Sequence, residues 1–445
     1  MMFNKINLRF SYDSLLNFFF CFFPISFIIG NSAININVVL FSLLGCFKLK
    51  SKIIKTQYDF LIKIIFLLFL VIIFSTGLSF IKTLYFGGYE YENLVRFIKS
   101  IFFFLFFLIL IIIYLLTDSN ILNYKIFIIT AAFSVVLVSL DVIYQYIFDF
   151  NIIGLKSYGT HNTGVFGDEI ISGGYIQNFS FFALFFLFFI LNKKKNIKFL
   201  LSPILFNILG LSILFSGNRM PLVLFLFGSF LIILFIKKLR KIMLLNSIFF
   251  IIAAGVVINL DPDKKNRMES IIGDTKKIFT RTAELERENK SYNLNINYEE
   301  LEQHGYTELF LTAIDTWKMN KLFGNGIKSF RIDCGKFQNP KKDRICSNHP
   351  HNYYLEILTE TGIVGLLIVI FIGSLFLIFI FKNFKFFREN NLNDLFFIAA
   401  SMSWILEMFP IKSTGSFFST NNAAYILLMS GIILSYKKMS QNKKV

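Results

Sequence analysis

Apolar and polar residues alternate along this chain in blocks rather than position by position. Nearly charge-free apolar blocks occupy residues 15–29, 34–47, 64–80, 94–116, 124–148, 175–191, 199–215, 221–236, 242–260, 363–381, 395–410 and 423–435. An apolar helix of about 20 residues crosses a bilayer core of roughly 30 Å. A helix also satisfies its own backbone polar groups where no water can. The pattern therefore predicts an all-α, polytopic transmembrane helical bundle with about 12 membrane helices. The weakest blocks are 34–47, which is short, and 395–410, which contains Glu407. No internal repeat is visible.

The polar segments give the orientation. Short turns rich in lysine follow the second block (Lys48, Lys50, Lys52, Lys55), the sixth (Lys193, Lys194, Lys195) and the eighth (Lys237, Lys238, Arg240, Lys241). The tail ends in Lys437, Lys438, Lys443 and Lys444. Basic short loops stay in the cytoplasm. That rule puts both termini inside and residues 149–174, 216–219, 261–352 and 411–422 outside. The hydrophilic stretch 261–352 has acids and bases in similar number, so it lacks the cytoplasmic signature. It divides the chain into membrane helices over 1–260, one large extracytoplasmic loop over 261–352, and the last helices over 353–445. Lys5 and Arg9 before the first block resemble a signal peptide, but no small-residue cleavage site follows, so that block is expected to be retained.

Composition agrees with this picture. The 445 residues are 55% hydrophobic, against about 45–50% apolar in a soluble domain. The formal charge of +17 is carried by alternate short loops. A basic stripe with interleaved aromatics on a soluble domain is missing, so no nucleic-acid partner is expected. The 60 phenylalanines are read for no function.

Candidate chemistry gathers in the outer segments, which hold all four histidines: His161, His304, His349 and His351. The densest stretch is His349-Pro350-His351-Asn352-Tyr353-Tyr354-Leu355-Glu356, followed by Thr361-Gly362-Ile363-Val364-Gly365-Leu366. Pro350 is suited to the first turn of a helix. His351 then stands near a helix N-terminus, which favours anions and a neutral imidazole. Such a histidine is a candidate general base. Arg219, in Ser216-Gly217-Asn218-Arg219-Met220-Pro221, precedes another helix start. There a fixed cation suits a phosphate or pyrophosphate; the plain alternative is an arginine snorkelling to lipid headgroups. His349 and His351 with Glu356 and Glu360 make a minimal metal set, but two histidines spaced i, i+2 across a proline do not match a zinc spacing, so no metal is expected. Cys334 and Cys346 lie in the outer loop, where a disulfide would persist. A bridge enclosing Arg344 and two free thiols are the alternatives.

These residues resemble the O-antigen ligase family, which also takes in O-antigen polymerases. The resemblance rests on His351-Asn352 followed by Gly362 and Gly365, and on Trp317 followed by Leu322-Phe323-Gly324-Asn325-Gly326-Ile327 and Phe330. Arg219 in Ser-Gly-Asn-Arg, Phe166-Gly167-Asp168-Glu169 and Ser172-Gly173-Gly174 add to it. It covers the topology and roughly residues 164–367. It implies a bacterial inner-membrane glycosyltransferase with a periplasmic active site and no cofactor or metal. The implied donor is a glycan on undecaprenyl pyrophosphate. The acceptor is lipid A–core for a ligase, the leaning here, or another carrier-linked repeat for a polymerase. The family's catalytic histidine falls on His351 and its pyrophosphate-binding arginine on Arg219. Asn352 is expected to cap the helix or hold the imidazole tautomer, and Glu356 to orient a sugar or face solvent. The family's second loop arginine has no counterpart; His304-Gly305-Tyr306 stands nearest, and Arg281, Arg287 and Arg331 are the candidates to replace it.

A lipid transporter is the main rival. It would carry charges mid-span and broken, repeated halves, whereas these blocks are nearly charge-free. The orientation is testable with an impermeant thiol reagent on intact cells. A cysteine at Lys194 is expected to stay unlabelled and one within 262–304 to react; labelling at Lys194 would invert the assignment.

Overall fold

The structure is a computed structural model that describes residues 11–86, 91–157, 161–261, 305–336, 346–413 and 415–441. Each apolar block lies on a helix. These are α1 (Tyr12–Ile29), α2 (Asn31–Leu49), α4 (Phe60–Phe86), α5 and α6 (Tyr91–Phe102, Phe104–Asp118), and α7 (Tyr124–Phe148). Then come α8 (Ser172–Ile190), α9 (Lys195–Phe215), α10 (Arg219–Phe235), α11 (Arg240–Leu260), α14 (Tyr353–Phe384), α15 (Leu392–Glu407) and α16 (Thr420–Gln441). Three further helices, α3 (Lys52–Lys55), α12 (Gly305–Lys318) and α13 (Phe330–Asp333), lie between them. Among the described residues there is no strand.

Nine helical segments among the described residues are long and apolar enough to cross a membrane, with α5 and α6 forming one. The sequence count of about twelve adds α10, α15 and α16, which pack among them. α10 has 17 residues and α15 has 16, roughly 24–26 Å at about 1.5 Å per residue. Asparagine or serine opens several helices: Ser11 caps α1, Asn123 caps α7 and Asn391 caps α15, each side chain accepting a backbone N–H of the first turn.

Buried phenylalanines interlock the helices. The ring of Phe127 on α7 lies 4.8 Å from Phe20, 5.9 Å from Phe182 and 5.6 Å from Phe396, joining α1, α8 and α15. Other large side chains, including Phe47, Phe133, Leu200 and Ile251, are more than half exposed on helix exteriors. In water so much apolar surface would drive association; against lipid tails it is solvated. α16 runs closely along α6, where a Cβ on Gly431 would come 3.1 Å from Leu110 Cα, the small-residue approach that membrane helices use.

The connecting segments sort to two ends. At one end Lys52 and Lys438 reach Asp118 at 3.1 and 3.4 Å, Lys198 pairs with Glu389, and Arg388 pairs with Asp394 at 3.2 Å. These are the segments with the cytoplasmic signature. At the other end Asn162 Nδ2 donates to Phe215 O, Asn218 Nδ2 donates to Ile170 O, and Asn352 Nδ2 donates to Pro410 O. Segments assigned outside therefore touch one another. Cys334 and Cys346 are joined by a disulfide, with Cα atoms 5.5 Å apart, which decides between the two alternatives. Cys334 packs with Leu309, Ala313 and Phe330 in a small core of its own beneath Leu355.

α14 is two helices in one. Gly362 breaks it with φ +68°, a left-handed conformation natural to glycine. A helix end leaves backbone N–H and C=O groups without partners. Here residues 321–326, the glycine turn, supply them. Ile363 N–H donates to Lys321 O at 2.9 Å and Val364 N–H to Leu322 O at 3.3 Å. In return Gly326 N–H donates to Glu360 O at 2.8 Å and Asn325 N–H to Thr359 O at 3.3 Å. The two backbones touch so closely that a Cβ on Gly362 would lie 2.1 Å from Leu322 O, and one on Gly324 would lie 2.4 Å from the Glu360 carbonyl carbon.

Gly362→Ala is therefore expected to undock the turn and destabilise the chain by at least about 1–3 kcal/mol, the scale of one forced backbone conformation. Gly373→Ala, on the same helix with nothing within 4 Å of a new Cβ, is expected to be neutral or stabilising by up to about 1 kcal/mol. Thermal unfolding of the two purified variants in one detergent distinguishes them.

Candidate active site

The histidine block sits where the outer chain enters α14. The helix begins at Tyr353, with Asn352 as its cap: Asn352 Oδ1 accepts from Tyr354 N–H and Leu355 N–H at 3.0 and 3.1 Å. The sequence suggests Pro350 in the first turn of the helix; instead it lies ahead of the Asn352 cap and is buried. The capping half of the Asn352 expectation is what the structure shows. Its Nδ2 donates to Pro410 O at 2.7 Å and Lys412 O at 3.3 Å, so the cap also fastens the α15–α16 connection to the histidines.

His351 itself has φ +57°, a conformation uncommon for a residue with a side chain. Its ring centroid lies 4.2 Å from that of His349. Both rings are partly buried, and His349 Nε2 is enclosed without a hydrogen-bond partner. Burial holds the His351 imidazole below the ordinary histidine value. Burial first, then His351 and Arg331, pushes His349 down to about 4. Both rings are therefore neutral at neutral pH, and a neutral imidazole can take up a proton.

Glu356 is not a solvated face. It is 2% exposed, and its carboxylate accepts from Ser416 Oγ and Phe417 N–H, both at 2.6 Å. It holds the loop before α16 at Ser416 and Phe417, as Asn352 holds it at Pro410 and Lys412. Glu360 faces the glycine turn instead, accepting from Lys328 N–H at 2.6 Å. Arg331 is exposed on α13 and close enough to act on the charge of His349. Among the three arginines named as replacements for the missing loop arginine, it alone is described; Arg281 and Arg287 fall outside the described residues, as does His304.

Arg219 is the first residue of α10 and is exposed. The neighbouring Asn218 braces its position: Asn218 Oδ1 accepts from Gly173 N–H at 3.3 Å, where a Cβ on Gly173 would come 2.8 Å from Asn218 Cβ. Ser172-Gly173-Gly174 is thus the seat of the Arg219 turn. Asn218 and Pro221, on either side of Arg219, line a cavity of about 110 Å³ shared with Glu407 and Lys412. Lys412 is the residue whose carbonyl Asn352 holds. The cavity is therefore tied to Arg219 through Asn218 and Pro221, and to the histidine block through the Asn352–Lys412 hydrogen bond.

Several polar residues at this end were not singled out as site residues by the sequence pattern. Lys412 Nζ pairs with Glu407 Oε1 at 2.6 Å, and Tyr353 OH donates to the same oxygen at 2.5 Å. Glu407 is 1% exposed, and its only sequence signal was a carboxylate inside an apolar block. Arg96 on α5 is 7% exposed and donates to Ile327 O at 2.9 Å, to Asn325 O at 2.5 Å and to Asn93 Oδ1 at 2.8 Å. It fixes the far side of the glycine turn. Charges within membrane segments cost several kcal/mol and mark function or a pinned structure, which is the signal that would have found both. Among the described residues no group of three or more His, Cys, Asp or Glu side chains is gathered as a metal site requires.

Residues 204–370 match the family model described as O-Antigen ligase. The match takes in Arg219, the glycine turn, the histidine block and the Gly362 break. It places an O-antigen ligase family domain in a membrane protein. That family implies a glycosyltransferase-like enzyme with lipid-linked glycan and acceptor partners. No curated protein matches the chain.

The neutral histidines have a measurable consequence. Unfolded, each imidazole returns to about 6.5; folded, each lies lower. Between the folded and unfolded values the unfolded chain binds more protons, so stability is complete above about pH 6.5 and falls as pH drops through that window. The melting temperature in detergent is expected to be lower at about pH 5 than at about pH 7.5. His349→Asn is expected to remove a large part of that difference; an unchanged difference would show that His349 is not buried neutral.

Proposed function

We propose that this chain is an integral-membrane glycosyltransferase of the bacterial inner membrane. It moves a glycan from undecaprenyl pyrophosphate to an acceptor hydroxyl on the periplasmic side, with lipid A–core as the leading acceptor. The observation that supports this reading is a polar cavity lined by Asn218 and Pro221, the chain neighbours of Arg219, and by Lys412, whose carbonyl is held by Asn352 next to His351. The exposed apolar helix faces supply a surface for a polyprenyl tail.

In this reading Arg219 binds the pyrophosphate with its planar fork of donors. It offsets the negative charge that grows as the anomeric C–O bond breaks. His351 takes the proton from the acceptor hydroxyl as its oxygen attacks the anomeric carbon from the opposite face. The new glycosidic bond forms with inversion, undecaprenyl pyrophosphate leaves, and the proton passes from the imidazole to water. The lowered pKa of His351 supports the base role. Arg331, beside the histidines, is the second phosphate contact. Asn352 and Glu356 act by holding the loop that carries Lys412. The leaving group is an anion that needs fixed cations rather than an acid, and in this reading Arg219 and Arg331 supply them in place of a metal. A repeat-unit polymerase differs only in its acceptor.

His351→Ala and Arg219→Ala are each expected to lower transfer by about 10²–10⁴-fold while the protein still inserts. Arg219→Lys is expected to recover part, since a point charge lacks the fork. The assay is glycan transfer in cells lacking the chromosomal copy. Loss of attachment with carrier-linked polymer retained means ligase, and single-repeat glycan on the lipid means polymerase. Near-normal transfer by a correctly inserted His351→Ala chain would remove histidine from the mechanism.

A further inference from the structure

The cavity beside Arg219 has a chemistry of its own. Its polar lining includes carboxamides and one ion pair, among them Gln177, Asn178, Asn218, Asn422, Glu407 and Lys412. Lys412 is already neutralised, because Glu407 Oε1 lies 2.6 Å from its Nζ. The other carboxylate oxygen, Glu407 Oε2, is buried without a hydrogen-bond partner. A buried charged acceptor left unmatched is costly, and native structures almost always supply the missing donor. The diphosphate diester of a lipid-linked glycan cannot supply it, being fully ionised and only an acceptor. A sugar hydroxyl can: it donates to the carboxylate and accepts from a carboxamide at once. Aromatic rings of Tyr175, Phe179 and Tyr425 complete the walls and suit the apolar C–H face of a pyranose. Pockets for drug-sized ligands run to roughly 300–1,000 Å³, so a cavity of about 110 Å³ takes one ring rather than a chain.

We propose that this cavity is a saccharide subsite that holds the sugar next to the diphosphate of the lipid-linked donor. The donor side follows from position. Asn218 and Pro221 line the cavity and flank Arg219, so a diphosphate at Arg219 delivers its attached sugar to the cavity mouth. The inference rests on the glycosyltransferase reading. It adds which groups recognise the donor sugar: Glu407 and Gln177 set specificity, and Lys412 orients Glu407.

The test uses the full chain in lipid nanodiscs and a panel of methyl glycosides of common hexoses and N-acetylhexosamines, with binding read by saturation-transfer NMR. At least one glycoside is expected to bind, and Glu407→Gln to weaken it at least about tenfold, the scale of a hydrogen bond to a charged group. Gln177→Ala is expected to weaken it as well. Gln177 Nε2 donates to its neighbour Asn178 Oδ1 at 3.1 Å and takes no part in the Glu407–Lys412 pair, so this variant keeps that pair and serves if Glu407→Gln does not fold. Inorganic pyrophosphate is expected not to displace the glycoside. In the transfer assay, excess donor is expected to restore Glu407→Gln and excess acceptor not to. No binding across the panel, binding indifferent to both variants, displacement by pyrophosphate, or rescue by acceptor would each overturn the proposal. A wild-type chain that binds a glycoside but transfers no glycan would sink the functional reading and leave the subsite standing. One that transfers glycan but binds none would sink the subsite alone.

Discussion

The arrangement depends on how one broken helix satisfies its backbone. Near a membrane, unmatched N–H and C=O groups have little water to turn to. The break at Gly362 exposes such groups in α14, and residues 321–326 meet them with their own backbone. Because backbone meets backbone, the turn is located by main-chain geometry rather than by side-chain identity. From α4, Thr76 Oγ1 accepts Ile327 N–H at 3.1 Å, and Ser75 Oγ donates to Glu360 O at 2.8 Å. From α5, Arg96 closes the far side. A segment far along the outer chain is thereby anchored to early membrane helices, and the histidines are carried on the helix to which it is anchored.

A second constraint sorts charge. The lysine-rich turns pair with acids at one end of the bundle, while the other end is braced mainly by carboxamides and hydroxyls. The exposed Lys52–Asp118 pair contributes only about 0–1 kcal/mol, so it does little to hold the helices together. The outer end is different. There Glu356, Glu407 and Lys412 are largely buried and hold the loops in place, where loss of a single partner leaves a charge uncompensated. Rigidity is therefore concentrated beside the candidate chemistry.

Much of the fold was legible in the sequence because membrane helices announce themselves by length and apolarity alone. The break in α14 was half legible: residue 363 was the expected start of the membrane block, and a glycine preceded it. His351, Arg219 and the glycine turn were legible as motifs with a physical role. What stayed hidden were contacts between distant segments. Nothing at Lys412 distinguishes it from any loop lysine until Glu407, Tyr353 and Asn352 are brought around it. Arg96 stands inside the apolar block 94–116, and nothing in the sequence says which turn it will meet. Glu356 could be read as solvated or as sugar-facing, and only folding shows it turned onto the Ser416 loop. Periodicity reports which face of a helix is apolar; it does not report which loop a buried acid will meet.

The disulfide changes what the outer segment can vary. Cys334 belongs to the small core under Leu355, and Cys346 lies a few residues before His349. The covalent link fixes the two ends of the intervening stretch to one another, whatever lies between. Closing a longer loop costs little more, about 0.6 kcal/mol for each doubling of its length. Residues can therefore be gained or lost between the cysteines without shifting the frame of the histidines. The chain has, in effect, a cassette next to its chemistry: a position where surface chains can diverge in length and composition while Pro350, His351 and Asn352 keep their place.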